Sequence, residues 1–271
     1  MTVQPNVSAS APEERRQTVM PAALENRRAE VPTVLAVEGL DAGYGPSSVL
    51  HGVTLKVCRG EIVVLLGANG AGKTTLMRSV VGALKSRGRR LVSDTELRGG
   101  SPSQVARLGV ASVPQGRGTF NELSVLDNLR LGALLLPSGR RQEAVENWLE
   151  RFPRLAERRH ISAGLLSGGE QQLLAIARAC ITEPLVLLCD EPSLGLSPAM
   201  THQIFDAFRE LNETLDLSVL IVEQNARLAL SVASYAYVLE TGRIVWEGVP
   251  TSLDADSALA AAYLGQQDIE Q

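Results

Sequence analysis

The chain has 271 residues, 45% hydrophobic and 21% charged, which is enough for one large α/β domain or two small ones. Its 26 basic and 30 acidic residues give a formal net charge of −4, so its composition offers no electrostatic basis for general nucleic-acid binding. No run free of Asp, Glu, Lys and Arg exceeds the 14 residues of 42–55 and 192–205, which excludes a membrane-spanning segment of roughly 20 apolar residues.

Residues 1–32 have the composition of a disordered extension. They contain four prolines and equal numbers of Glu and Arg, without the sustained apolar period needed to bury surface. A short helix over residues 22–30 is the alternative. From Thr33 onward β-rich runs alternate with Gly, Pro and Ser turns, so we expect the folded domain to begin there.

The elements after Thr33 alternate between strands and helices. Apolar or β-rich runs predict strands at Val34–Val37, Val49–Val57, Ile62–Leu66, Leu185–Cys189, Ser218–Val222 and Tyr235–Leu239. Helices are predicted from Lys73 and over Leu173–Cys180, Ala199–Leu215 and Asn225–Ala233. Such βαβ alternation indicates an open parallel sheet. Between about residues 121 and 181 only the helical patterns of Val125–Leu136 and Gln142–Leu155 precede the run at Leu173, so an all-helical insertion is predicted.

The segment after the strand at Ile62–Leu66 fits the pattern G-x-x-x-x-G-K-[ST]. It consists of Gly67, Ala68, Asn69, Gly70, Ala71, Gly72, Lys73, Thr74 and Thr75. Glycines let backbone N–H groups turn inward around phosphate oxygens, and a helix N-terminus adds partial positive charge. Lys73 would neutralise the β- and γ-phosphates, and the Thr74 hydroxyl would hold Mg²⁺. A lysine is notable here, because the chain uses only three Lys among its 26 basic residues.

A second candidate segment is the apolar strand that ends in Asp190 and Glu191. Asp190 would bind Mg²⁺ through water, and Glu191 would orient and deprotonate the attacking water. Adjacent side chains point to opposite faces of a strand, but a turn at Pro192 would bring both carboxylates to one site. Many strands end in acidic residues, so this segment becomes specific only together with the phosphate-binding loop.

A third segment lies between these two and opens a helical run. It comprises Leu166, Ser167, Gly168, Gly169, Glu170 and Gln171. Ser167 and two glycines at a helix start predict a second anion-binding N-terminus, whereas an ordinary capped helix would not need glycines that weaken its first turn. The two anion-binding helix N-termini, one after the loop at 67–72 and one at Ser167, cannot both reach one nucleotide in a monomer. This suggests a head-to-tail dimer.

The order and spacing of these three segments resemble those of the ATP-binding-cassette (ABC) transport ATPases, over about residues 33–265. The resemblance implies an α/β P-loop NTPase fold of ABC type. Its core sheet would be mostly parallel, with an N-terminal antiparallel β part and an inserted helical subdomain at about 121–181. Residues 266–271 would form a tail. It further implies that Tyr44 stacks on adenine and that Gln115 contacts Mg²⁺ and the attacking water. Residues 193–196 match the loop that crosses the dimer interface.

One position departs from the family pattern, because Gln224 stands where a His usually contacts the γ-phosphate. A Gln amide can donate the same hydrogen bond without titrating. This position makes the chain similar to the smaller ATP-binding subunit of branched-chain amino acid importers. The same similarity is carried by residues 67–72, 113–117, 222–226, 238–243 and 262–265. Importers for urea, short amides or aromatic acids share much of the pattern.

The resemblance also implies partners and a location. The implied partners are a second ATPase subunit, two transmembrane permeases and a periplasmic or extracellular solute-binding protein, and they include no nucleic acid. The implied cofactor is Mg²⁺, and the implied substrate is ATP. Three cysteines without metal-ligand spacing and the lack of an apolar leader predict a cytosolic protein with reduced thiols. The resemblance implies that it lies at the cytoplasmic face of the inner membrane, held there by the permease subunits. The alternatives are a soluble ABC ATPase acting outside transport and an unrelated P-loop kinase or GTPase.

Overall fold

The structure, a computed structural model, describes Arg28 and residues 30–253. Most of the predicted extension, the segment 262–265 and the predicted tail 266–271 lie outside these residues. The elements up to the helical insertion are β1 (Thr33–Tyr44), β2 (Ser47–Cys58), β3 (Ile62–Leu66), α1 (Lys73–Val80), β4 (Ser86–Val92), β5 (Thr95–Glu96), α2 (Pro102–Arg107) and β6 (Val110–Val113). The insertion and the remaining core comprise α3 (Val125–Gly132), α4 (Arg141–Arg151), α5 (Pro153–Glu157), α6 (Gly168–Cys180), β7 (Val186–Asp190), α7 (Pro198–Leu215), β8 (Ser218–Glu223), α8 (Ala226–Val232), β9 (Tyr235–Glu240), β10 (Arg243–Gly248) and α9 (Pro250–Leu253).

The central sheet has six strands in the order β10-β9-β3-β8-β7-β6, all parallel except β10. Every residue of β3, β7 and β8 is buried, which explains their unbroken runs of Val, Leu and Ile. The register sets Leu66 beside Glu223 and Asp190 beside Val222, so the carboxyl ends of these three strands meet at one edge. The predicted α/β fold with a mostly parallel core sheet is confirmed.

A second sheet, antiparallel and in the order β2-β1-β4-β5, packs on this core. The long hairpin of β1 and β2 turns at Gly45, whose φ of 57° favours glycine. The predicted antiparallel N-terminal part is therefore present. Its strand β4 was not predicted, because only Leu91 and Val92 carry apolar side chains among residues 86–92, and three of these seven residues are arginines.

The helical insertion follows β6 and ends where β7 begins. Its helices α3, α4, α5 and α6 share one apolar core with β7 and β8, in which Trp148 stacks on Phe152 with ring centroids 5.9 Å apart. Between residues 121 and 181 the described elements are helices and helical turns, with one isolated β-bridge from Ser124 to Ser162. The helix predicted over Val125–Leu136 ends at Gly132 and continues as a 3₁₀ turn over Ala133–Leu135. None of the described helices is long and apolar enough to span a bilayer.

One residue of the predicted extension is anchored on the domain. Arg28 is 8% exposed, and its guanidinium lies 3.5 Å from the centroid of the Tyr235 ring. Its Nε donates to Glu61 Oε1 at 3.0 Å, and its Nη2 donates to the Lys56 carbonyl at 2.7 Å. Glu61 and Tyr235 lie at the amino ends of β3 and β9, so this anchor is at the sheet edge opposite the strand carboxyl ends. The sequence pattern gave no indication of it.

Candidate active site

The loop at residues 67–72 connects the buried end of β3 to α1. Gly70 and Gly72 have φ values of 84° and 109°, a left-handed region that disfavours a side chain. Gly67 also approaches its neighbour closely, since an added Cβ would lie 2.7 Å from the Leu239 carbonyl oxygen. The first turn of α1 has no side-chain cap, so its backbone N–H groups point to the loop and can bind an anion.

Lys73, the first residue of α1, is 5% exposed and bridges the loop to the end of β7. Its ammonium donates to the carbonyl oxygens of Gly67 at 2.7 Å and Ala68 at 3.2 Å. It also pairs with Glu191 Oε1 at 3.0 Å. The positive charge therefore sits between the loop and the carboxylate, where it can neutralise a third, anionic group.

Glu191 lies one residue beyond β7, with a φ of 49°. This left-handed conformation, which costs a non-glycine residue roughly 1 kcal/mol or more, turns the Glu191 side chain to the side of the sheet edge that Asp190 also reaches. The other carboxylate oxygen of Glu191 accepts a hydrogen bond from Gln115 Nε2 at 2.9 Å. Lys73 and Gln115 thus hold the two oxygens of one carboxylate from opposite sides.

Asp190, the last residue of β7, is 4% exposed and hydrogen-bonds the Thr74 side chain. Burial raises the pKa of Asp190, and the nearby Glu191 raises it further, while Thr74 and Lys73 lower it. Its Oδ1 atom has no hydrogen-bond partner among the described residues. A buried carboxylate oxygen without a partner beside a threonine hydroxyl fits the oxygen ligands that Mg²⁺ prefers.

These side chains surround a cleft of about 330 Å³ at the carboxyl edge of the core sheet. Its lining comprises Val49, Ala68, Asn69, Gly70, Gly72, Lys73, Thr74, Thr75, Gln115 and Glu191. Of the predicted site residues, Gly67, Ala71, Asp190 and Tyr44 are outside this lining. Asp190 is buried against Thr74, which does line the cleft. Tyr44 is 43% exposed, and the Arg78 guanidinium of α1 lies 5.7 Å from its ring centroid.

Gln224 is exposed and also outside the lining, although Leu66 pairs with the preceding Glu223 and so places Gln224 at the same sheet edge. Sequence reasoning missed Glu223, which is 2% exposed. Its carboxylate accepts the backbone N–H groups of Ser193 at 2.9 Å and of Gln224 at 3.1 Å. It therefore ties the loop after Glu191 to the loop that holds Gln224. An acidic residue ending an otherwise apolar strand was the available signal.

The segment 166–171 lies outside the cleft lining, at the start of α6. Ser167 and Glu170 form a capping box, with Ser167 N donating to Glu170 Oε2 at 2.8 Å and Glu170 N donating to Ser167 Oγ at 3.3 Å. Both glycines have close neighbours: a Cβ on Gly169 would clash with the Met200 side chain, and a Cβ on Gly168 would lie 2.9 Å from Arg117 Nη2. The ends of the Met200 and Arg117 side chains therefore pack directly against these glycines and would have to shift if either glycine carried a Cβ.

Comparisons with known proteins agree with this geometry. Residues 50–194 match the family described as ABC transporter. The chain is 42% identical over 233 residues to the high-affinity branched-chain amino acid transport ATP-binding protein BraG of Pseudomonas aeruginosa, covering 86% of this chain and 100% of BraG. It is 35% identical to a probable branched-chain amino acid transport ATP-binding protein, LivF, of Archaeoglobus fulgidus, over 79% and 91% of the two chains. Among solved structures, the ADP conformation of MJ1267, an ATP-binding cassette of an ABC transporter, superimposes with a TM-score of 0.74 at 28% identity, covering 86% and 99%.

Proposed function

The chain belongs to the ABC transporter ATPases, and from this membership we propose that it is the ATP-hydrolysing subunit of an importer for branched-chain amino acids. The supporting observation is the Glu191 carboxylate, held between Lys73 and Gln115 in the cleft. The solute class follows from the relatives named for branched-chain amino acid transport. An importer for urea, short amides or aromatic acids is the alternative solute class.

In the proposed mechanism the loop at residues 67–75 binds the phosphates of ATP through its N–H groups and Lys73, and Tyr44 stacks on adenine. Asp190 and Thr74, with Gln115, would hold Mg²⁺, which would neutralise charge on the phosphate oxygens when bound. A γ-phosphate in the cleft competes with Glu191 for the Lys73 ammonium. Binding of ATP would therefore release one oxygen of Glu191 to accept a hydrogen bond from water.

Glu191 then acts as the general base on that water, and Gln115 keeps its carboxylate oriented. Gln224 donates an amide hydrogen bond to the γ-phosphate. The segment from Leu166 to Gln171 acts on the ATP of a second ATPase subunit in a head-to-tail dimer, since it lies outside this chain's own cleft. Two permeases and a solute-binding protein complete the proposed transporter, with this chain peripheral at the cytoplasmic face and residues 33–265 as its ATPase domain.

Solute uptake tests the proposal. Cells that express the chain with its companion cassette, permeases and solute-binding protein should accumulate labelled leucine, and the Lys73→Ala variant should abolish that accumulation. Accumulation of urea or benzoate in place of leucine would show that the transporter imports the alternative solute class. Accumulation of none of the three would contradict an import function of either class.

A further inference from the structure

The loop after β6 has a strained backbone. Gly116, Arg117 and Gly118 are consecutive residues with φ values of 80°, 72° and 63°. Two glycines adopt this region freely, whereas Arg117 meets a steric penalty from its Cβ. Because strain of this kind persists only where the surroundings fix the residue, the contacts of the Arg117 side chain are informative.

The Arg117 guanidinium connects this loop to the start of α6. Its Nη1 donates to Gln171 Oε1 at 2.7 Å, and its Nη2 lies against Gly168, where an added Cβ would be 2.9 Å away. Leu196 approaches the same glycine from the loop after Glu191, at 3.2 Å from that Cβ position. Gln171 in turn donates through Nε2 to the carbonyl oxygens of Ala163 and Leu166. One guanidinium thus contacts the segment 166–171 at two points, Gly168 and Gln171.

The other end of the loop reaches the cleft. Gln115 lies two residues before Arg117, and its amide donates to Glu191 Oε2 at 2.9 Å. The three residues 115–117 therefore join the carboxylate of this chain's own cleft to the segment that would act on the partner's ATP. Gly116 alone separates Gln115 from Arg117, so a backbone displacement at Gln115 on ATP binding has two peptide links to cross before it reaches Arg117.

We propose that Arg117 is a positioning residue that couples the occupancy of this chain's cleft to the placement of the segment 166–171. The inference rests on the proposed function, in which that segment serves a second ATP. Lysine cannot replace the guanidinium fully, because a single ammonium that donates to Gln171 leaves the space beside Gly168, which the second guanidinium nitrogen occupies, unfilled.

Hydrogen–deuterium exchange of the full chain tests the coupling without companion subunits. Addition of Mg-ATP should change exchange in residues 163–171 of the parental chain. In Arg117→Met the ATP affinity should stay within about twofold, since Arg117 does not line the cleft, while the ATP-induced change in residues 163–171 should disappear. Arg130→Met removes an exposed arginine paired with Asp127 in α3 of the same insertion, and it should retain the change.

Turnover in the assembled complex gives a second readout. Glu191→Gln silences this chain's cleft, so the remaining hydrolysis takes place at the partner's ATP. Adding Arg117→Met should lower that remaining kcat by about tenfold with an unchanged KM for ATP, and Arg117→Lys should restore part of it. A persisting exchange response together with a remaining kcat within twofold would overturn the inference. If Glu191→Gln alone left total hydrolysis unchanged, the proposed function would fail instead.

Discussion

Replacing Arg28 with methionine should destabilise the domain, although this residue precedes the first strand. The change keeps most of the side-chain volume over Tyr235 but removes the guanidinium that pairs with Glu61. Breaking a buried ion pair from one side costs roughly 3–5 kcal/mol. Glu61 is 17% exposed and keeps a hydrogen bond from Cys58 N at 2.9 Å, so we expect a smaller loss of about 2–3 kcal/mol.

Urea unfolding of the full chain, followed by tryptophan fluorescence, measures this loss. The matched control is Arg59→Met, which removes a similarly short ion pair, to Asp216 at 2.8 Å, whose side chains are 67% and 60% exposed. An exposed pair of this kind contributes about 0–1 kcal/mol. The double variant Arg28→Met with Glu61→Gln should show a coupling free energy of at least about 1 kcal/mol. Equal losses for Arg28→Met and Arg59→Met would refute the assignment of Arg28 as a buried anchor.

Three further predictions concern the site. Lys73→Ala should weaken ATP binding by at least about tenfold, because it removes phosphate neutralisation, and fluorescent-nucleotide titration measures this loss. Gln224→His should introduce a pH dependence of phosphate release between about pH 6 and 7.5, which the parental amide lacks. Gln224→Ala should lower turnover with nearly unchanged ATP affinity. Identical pH profiles in the parental chain and both variants would contradict a contact between Gln224 and the γ-phosphate. Burial raises the pKa of Glu223, although hydrogen bonds from Ser193, Gln224 and Asn225 lower it. The Glu223 carboxyl therefore stays protonated to a higher pH in the folded state than in the unfolded chain. Stability tied to this group should therefore fall as pH rises from the ordinary value of 4.5 through the raised pKa, and this component should be absent in Glu223→Gln urea titrations.

The core sheet and the phosphate-binding loop were predictable because their signals are local. Strands β3 and β8 are buried on both faces and contain unbroken apolar runs, over residues 62–66 and 219–222, and the loop pattern between strand and helix is specific. Strand β10 was missed because its apolar run is only three residues long, Ile244–Trp246, and exposed charged residues flank it at 243 and 247.

The rest depends on contacts between residues distant in sequence. Nothing near Arg28 indicates that its guanidinium meets Tyr235, and nothing near Arg117 indicates Gln171. Glu191 likewise depends on residues distant in sequence: it has a left-handed conformation, its N–H donates to the Val222 carbonyl of β8 at 2.8 Å, and its carboxylate meets Lys73. Such features follow from the tertiary fold, and the sequence pattern supplied only the residue types.

The most direct test of the account is ATP binding and phosphate release by Glu191→Gln, measured on the full chain alone and with its companion subunits. The change removes the proton acceptor and the ion pair with Lys73, whose ammonium lies 3.0 Å from Glu191 Oε1, so it leaves the lysine free for phosphate. We expect ATP affinity to be unchanged or tighter. Phosphate release from this chain's own cleft, isolated in the complex by a carboxylate-to-amide change in the companion cassette, should fall by about 10²-fold or more. Phosphate release at the parental rate with normal ATP binding would contradict the assignment of Glu191 as the general base.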